Sequence, residues 1–201
     1  MDLFYRHPVF RIANEKGRPM SEASAKKFAV KVVEYTPDWS AAFEAEALLL
    51  EKAIGDNLVR LFHIGSTSVP GLKAKPIIDI LPVVLDIERL DAKNGAFAAA
   101  GYEAMGEFGI PGRRYFHKGG VGRTHHVHAF QYDCVYPILR HVAFRDYLRA
   151  HADVRDAYGE LKTELAARFP NDIDGYCDGK DAFVKRVEAE ALLWYWKTRK
   201  N

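Results

Sequence analysis

A chain of 201 residues with 48% apolar side chains can bury a core without disulfide staples, and its length fits one domain with an appended lobe. Its 29 basic and 27 acidic residues nearly cancel, which excludes the broad positive field of a bulk nucleic-acid binder. No run approaches the roughly 18 apolar residues of a membrane helix, and the opening Met-Asp-Leu-Phe has no apolar signal core. Cys134 and Cys177 lack metal-finger spacing, so a cytoplasmic, reducing setting is expected.

Residues 1–28 mix Pro, Gly, Lys and Ser and read as a weakly ordered arm, with Phe4, Tyr5 and Phe10 available as anchors. Residues 29–136 read as the core of the fold, opened by a short strand at Val30–Tyr35. Thr36 and Pro37 are then the N-cap and first position of a helix carrying Trp39, Phe43, Leu50 and Ile54 on one face, with Gly55 as its stop. Strands follow at Leu58–Ile64 and Ile77–Val84, joined by a loop rich in small residues. Asp86–Ala100 reads as one helix, capped by Asp86 and ended by Gly101. A mobile-looking stretch, Met105–Gly112, leads to strands at Arg113–Lys118 and Thr124–Gln131, with a glycine turn between them that suggests a hairpin. Residues 137–201 read as a helical lobe, with helices at Ile138–Ala150, Asp153–Phe169 and Gly179–Lys197. The pattern is mixed α/β, of α+β type.

The segment from His63 to Ile80 carries the chemistry. Gly65 allows close backbone approach, Ser66, Thr67 and Ser68 add hydroxyls, and successive N–H groups there can form an anion-binding nest. Lys73 and Lys75 can neutralise phosphate charge. Asp79 sits between Ile78 and Ile80 in an apolar strand, where a carboxylate is costly unless paired or metal-bound. A surface loop with a Pro–Gly turn would account for the same residues. On the later strand, alternation puts His126 and His128 on one face and His125 on the other. Two such histidines suit a transition metal, contact to phosphate or general base catalysis; half-buried histidines bonded within a sheet are the plain alternative. Arg114 and Lys118 share a face by parity, and Arg114 is a phosphate candidate. Lys180, with Tyr176 ahead of the last helix, is a ligand-facing candidate. Arg145 and Arg149 share a helix face and would pair with Asp146 or Asp153 or reach a phosphate.

Gly65-Ser66, twelve intervening residues and Asp79 resemble the signature of the GrpB family, placed in the DNA polymerase beta-like nucleotidyltransferase superfamily. The resemblance extends over about Val30–Trp196 and includes Tyr35–Trp39, Arg114–Phe116, Thr124–His128, Phe144–Leu148, Tyr176 and Lys180. It implies a nucleotidyltransferase-like core sheet with flanking helices and a nucleotide or other phosphorylated small molecule as ligand. The strand triplet is Asp79-Ile80-Leu81, so the second acid of the superfamily's two-metal site is missing.

Three functions follow as expectations. The first is nucleotidyl transfer from an NTP to a small acceptor. There Gly65, Ser66, Thr67, Ser68, Lys73, Lys75, Arg114 and Lys180 would hold phosphate, and Asp79, His126 and His128 a divalent metal (Mg or Mn, or Zn). The second is a non-catalytic nucleotide-binding module; GrpB-like domains also occur fused to dephospho-CoA kinase, which ties such a module to coenzyme A metabolism. The third is a histidine-metal phosphohydrolase. A carboxylate such as Glu107 beside Asp79 would favour the first, backbone donors alone the second, and a histidine cluster the third.

Overall fold

The computed structural model describes residues 29–120 and 122–199; the arm expected at residues 1–28 lies outside the described residues. The segment Val30–Tyr35 is not a strand. Only Val33 pairs, exchanging backbone hydrogen bonds of 2.9 and 3.0 Å with Ala74. Its apolar residues serve docking instead: Val30 packs with Leu165 and Tyr176, while Val33 and Tyr35 pack on the main core. Helix α1 (Asp38–Ile54) follows, with Pro37 just ahead of its first residue and the Thr36 hydroxyl accepting from the Asp38 N–H at 3.3 Å.

Strands β1 (Leu58–Ile64), β2 (Ile78–Val84), β3 (Tyr102–Ala104), β4 (Arg113–Lys118) and β5 (His125–Gln131) form one sheet in the order β1-β2-β5-β4-β3. Neighbours are antiparallel except β2 and β5, which run parallel. A parallel pair needs a long crossover. Here the chain leaves β2, passes through α2 (Ile87–Asp91), α3 (Asn94–Ala99), β3 and β4, and only then inserts β5 beside β2. The helix expected over Asp86–Ala100 is split in two. Asp86 caps it as expected, accepting from the N–H groups of Glu88 and Arg89 at 2.8 and 3.1 Å. The chain then turns at Ala92-Lys93 before Asn94-Gly95, two weak helix formers. Strand β3 is three residues long, too short to show an alternating pattern.

Alternation gives the sheet two faces. Ile78, Ile80, Val84, Phe116, Val127 and Ala129 pack under α1 with Leu90 and Phe97. Ile64, Leu81, Val83 and Phe130 pack on the other face against Ile138 of α4 (Val135–Ala150). Pro137 lies inside the first turn of α4, where its missing N–H costs no helical hydrogen bond. Helices α5 (Ala152–Arg168) and α6 (Ile173–Thr198) complete the lobe. Helix α6 starts well before Gly179, capped by Asp172, which accepts from the Gly175 N–H at 3.0 Å. Tyr176 and Lys180 are therefore inside the helix rather than ahead of it. Gly179 is tolerated mid-helix because a Cβ there would overlap Leu165 of α5. The lobe clamps the β1–β2 connection, packing Leu148, Tyr158 and Val187 on Val69 and Leu72. The fold is mixed α+β, as expected. Cys134 and Cys177 are both unpaired, and no described helix is long and apolar enough to cross a membrane.

Candidate functional site

The β1–β2 connection turns sharply after Ile64. Gly65 adopts φ 68°, and a Cβ there would overlap the Asp79 carboxylate, so both the turn and the close approach require glycine. Ser66–Ser68 then form one 3-10 turn. Within it the Ser68 hydroxyl donates to the Gly65 carbonyl at 2.5 Å, and the Thr67 hydroxyl to the Ile77 carbonyl at 3.0 Å. His63 Nε2 meets the Thr67 hydroxyl at 3.1 Å. Thr67 and Ser68 were expected to face phosphate; their hydroxyls are buried and consumed in shaping the loop. The N–H groups of Ser68 and Val69 are likewise bonded inside the turn. Ser66 alone of the three serves another purpose: its Oγ receives a hydrogen bond from Lys162 Nζ at 2.9 Å.

Asp79 emerges from β2 on the face opposite α1. Register pairs it with His126 on β5. His126 Nδ1 lies 3.2 Å and His128 Nε2 3.5 Å from Asp79 Oδ1. Burial disfavours the Asp79 carboxylate, but hydrogen bonds from His126 and His128 outweigh it and hold the group well below the ordinary range. Burial holds the His128 imidazole below its usual pKa, against the attraction of Asp79. An ionised carboxylate beside an imidazole that burial keeps neutral is the protonation state metal ligands need. The three side chains offer ligand atoms within 4.8 Å of one another. Tetrahedral bonds of about 2.0–2.1 Å would set neighbouring ligands about 3.3 Å apart, so the observed separations fit a small divalent ion. Alternation predicted this pairing of His126 with His128, and the parallel β2–β5 register adds Asp79.

Three lysines gather beside this cluster. Lys75 Nζ and Lys180 Nζ stand 5.5 and 5.6 Å from the Tyr176 ring centre, and Lys162 Nζ 4.5 Å from that of Tyr158. Lys162 is 2% exposed. Burial and the charges of Lys180 and Lys75 push its ammonium down to about 6. Burial, with repulsion from Lys180, also lowers Lys75, which Asp79 only partly offsets. Lys162 escaped the sequence reading. Its signal was its place four residues after Tyr158 and three before Leu165, within the buried stripe of α5.

Other expected residues are elsewhere. Lys73 points outward and pairs with Glu160 at 2.8 Å and Glu34 at 3.4 Å. Arg114 lies on the α1 side of the sheet, in a forked pair with Asp91 at 2.6 and 2.8 Å. Its neighbour Arg113 is the one that shares the Asp79 face, 3.5 Å from His128 Nδ1 and bonded to the carbonyls of Glu107 and Phe108. Lys118 pairs with buried Glu46 of α1. The Glu107 carboxylate accepts from the Gly112 N–H at 2.7 Å and so is used within its own loop. Arg145 and Arg149 bind Asp146 and the carbonyls of His63 and Ser68, bracing the turn from behind.

Residues 29–190 match the family described as GrpB protein. The chain is 44% identical over 168 residues to the UPF0157 protein YqkA of Bacillus subtilis, covering 84% of this chain and 49% of that protein, about half its length. It is 40% identical to the UPF0157 protein PA4798 of Pseudomonas aeruginosa, over 81% of this chain and 68% of that one. Its fold is similar to the crystal structure of the conserved protein GrpB from Enterococcus faecalis, with a TM-score of 0.81 at 51% identity, covering 83% of this chain and 99% of that one. With a family match over most of its length and a solved relative identical at half of the aligned positions, the chain belongs to the GrpB family.

Proposed function

We propose that this protein binds a nucleoside triphosphate with a divalent metal and transfers its nucleotidyl group to a small acceptor. The carrying observation is the cluster of Lys75, Lys162 and Lys180: Lys162 is buried and bonded to Ser66, and the other two are half-buried within the field of Asp79. Folding that drives ammonium groups together in the interior is unfavourable unless an anion joins them. A triphosphate supplies several negative charges in a compact chain, matched to several cations. Lys75, Lys162 and Lys180 would hold the outer phosphates, with the Ser66 hydroxyl as a further donor once Lys162 turns to the ligand. Asp79, His126 and His128 would hold the metal, which neutralises phosphate charge and polarises the phosphoryl group. Their mixed nitrogen and oxygen donors suit Mn²⁺ or Zn²⁺ better than Mg²⁺, which prefers oxygen. In the transfer, an acceptor oxygen bonds to the α-phosphorus, the bond to the bridging oxygen breaks, pyrophosphate leaves, and the acceptor's proton passes to water.

Two imidazoles in place of a second carboxylate favour one further reading, hydrolysis of a phosphate ester at a single metal. Both are tested by titrating NTPs calorimetrically with Mn²⁺ or Zn²⁺ into the protein and into Asp79→Ala and Lys162→Met, followed by product analysis. Metal-dependent binding lost in both variants, with pyrophosphate released only when an acceptor is present, supports transfer. Release of phosphate without any acceptor supports hydrolysis. A folded wild type that binds no NTP with either metal refutes transfer and NTP hydrolysis alike.

A further inference from the structure

A second group of polar atoms occupies the same sheet face, on the far side of Asp79 from the serine turn. Pairing across the sheet runs Ile64, Asp79, His126, His117, Glu103 from β1 to β3. Ser66–Ser68 follow Ile64 at one end of this row, and His117 stands two strands beyond Asp79 toward the other. Tyr115 pairs with His128, its ring centre 5.3 Å from that imidazole and 5.6 Å from His126. Tyr115 is 2% exposed and His117 6%. Among the described residues, His117 Nδ1 and His126 Nε2 are buried without a hydrogen-bond partner, and the Tyr115 hydroxyl, buried beside them, has the Arg123 guanidinium for a partner. Burial pushes the Tyr115 phenol up to about 12, against the pull of Arg123, whose charge also acts on His117.

Buried polar atoms without partners are few in folded proteins, and each one costs stability. Two such nitrogens and a phenol proton in one patch beside a candidate metal site ask for a ligand. Proton placement says what kind. His117 Nε2 lies 3.4 Å from the Glu103 carboxylate and therefore carries the ring proton, which leaves Nδ1 as an acceptor. The Arg123 guanidinium can only donate, so the Tyr115 oxygen accepts from it and the phenol proton is left to give. A group meeting both must give a proton and take one, which a hydroxyl does.

We propose that Tyr115, His117 and His126 form the acceptor subsite, and that the acceptor presents a hydroxyl group to it. This rests on the transfer reading above. The row order supports it: phosphate side, Asp79, then the polar patch, so that donor and acceptor approach the metal ligands from opposite sides. The phenol and imidazole edges would replace the water that otherwise solvates the attacking hydroxyl.

The test uses Tyr115→Phe and His117→Leu with three readouts, glycerol serving as the hydroxyl probe. Without ligand, His117→Leu removes an unsatisfied buried nitrogen and should leave Tm unchanged or raise it by a few degrees. With Mn²⁺ and ATP, nucleotide affinity should stay within about twofold of wild type, while formation of an adenylyl–glycerol ester falls at least tenfold. In ¹⁵N spectra, glycerol should shift the His117 and His126 ring signals of the wild type and not those of Tyr115→Phe. A loss of several degrees in His117→Leu would make that residue structural and overturn the proposal, as would unchanged ester formation or absent glycerol shifts. If the wild type binds no ATP, the transfer reading fails by itself, and the glycerol spectra still decide the subsite.

Discussion

Lys162→Met removes one buried amino group from the lobe interior while keeping nearly the same volume. In the folded protein, burial and the charges of Lys180 and Lys75 lower the Lys162 pKa from 10.5 to about 6. Below about pH 6 both folded and unfolded chains hold the proton, and the folded state bears the full cost of the buried charge. As pH rises from about 6 toward 10.5 only the unfolded chain still holds it, so this penalty shrinks and stability rises. At pH 7 the gap corresponds to on the order of 5 kcal/mol, at about 1.4 kcal/mol per pH unit. Losing the Ser66 hydrogen bond returns about 1 kcal/mol, and relaxation around the charge returns more. We expect Lys162→Met to gain roughly 2–4 kcal/mol at pH 7, read by denaturant or thermal unfolding as a Tm higher by about 5–15 °C. The gain should be largest near pH 6 and fade toward pH 10. Inorganic tripolyphosphate should raise the Tm of the wild type and leave that of the variant nearly unchanged, because ligand binding to the folded state stabilises it by mass action. A variant less stable than wild type at pH 7, or a gain that grows with pH, would refute the view of Lys162 as a buried amine that takes up its proton with an anionic ligand.

Asp79→Ala takes away the only carboxylate of the three-donor cluster, and Mn²⁺ or Zn²⁺ affinity measured by calorimetry should fall by about 100-fold or more; an unchanged affinity would place the ion elsewhere. Gly65→Ala forces a Cβ into the left-handed region and into the Asp79 carboxylate, so the protein should lose about 2–4 kcal/mol of stability in urea unfolding together with metal binding. Full retention of both would mean that the turn relaxes freely. Arg114→Ala should change NTP binding less than twofold and stability by under about 1 kcal/mol, since its half-exposed partner Asp91 lies on the other side of the sheet. A large loss of nucleotide affinity would put Arg114 back at the site.

The sequence by itself determined the elements that depend on local physics. Helix α1, strands β1, β2, β4 and β5, and the Asp86 cap follow from apolar periodicity and capping chemistry within a few residues of one another. The pairing of His126 and His128 on one face follows from strand alternation alone, and the apolar run around Asp79 marks its carboxylate as one needing partners. Val30–Tyr35 misled because alternating apolar residues also suit a segment docked onto helices, and β3 left no trace because three residues hold no period.

What only the tertiary structure decided is which of these faces meet. The insertion of β5 between β2 and β4 is a long-range choice, and it sets Asp79 beside His126 and turns Arg113, Tyr115 and His117, rather than Arg114 and Lys118, toward the site. Parity names two sets of β4 residues, but only cross-strand register says which set shares a face with a carboxylate about 35 positions earlier. Lys162 and Lys180 likewise sit on the buried faces of α5 and α6 in any reading of helical period. Only the packing of the lobe on the β1–β2 connection brings them to Ser66 and Lys75, because side-chain burial on the lobe, not sequence proximity, carries those ammonium groups to the loop.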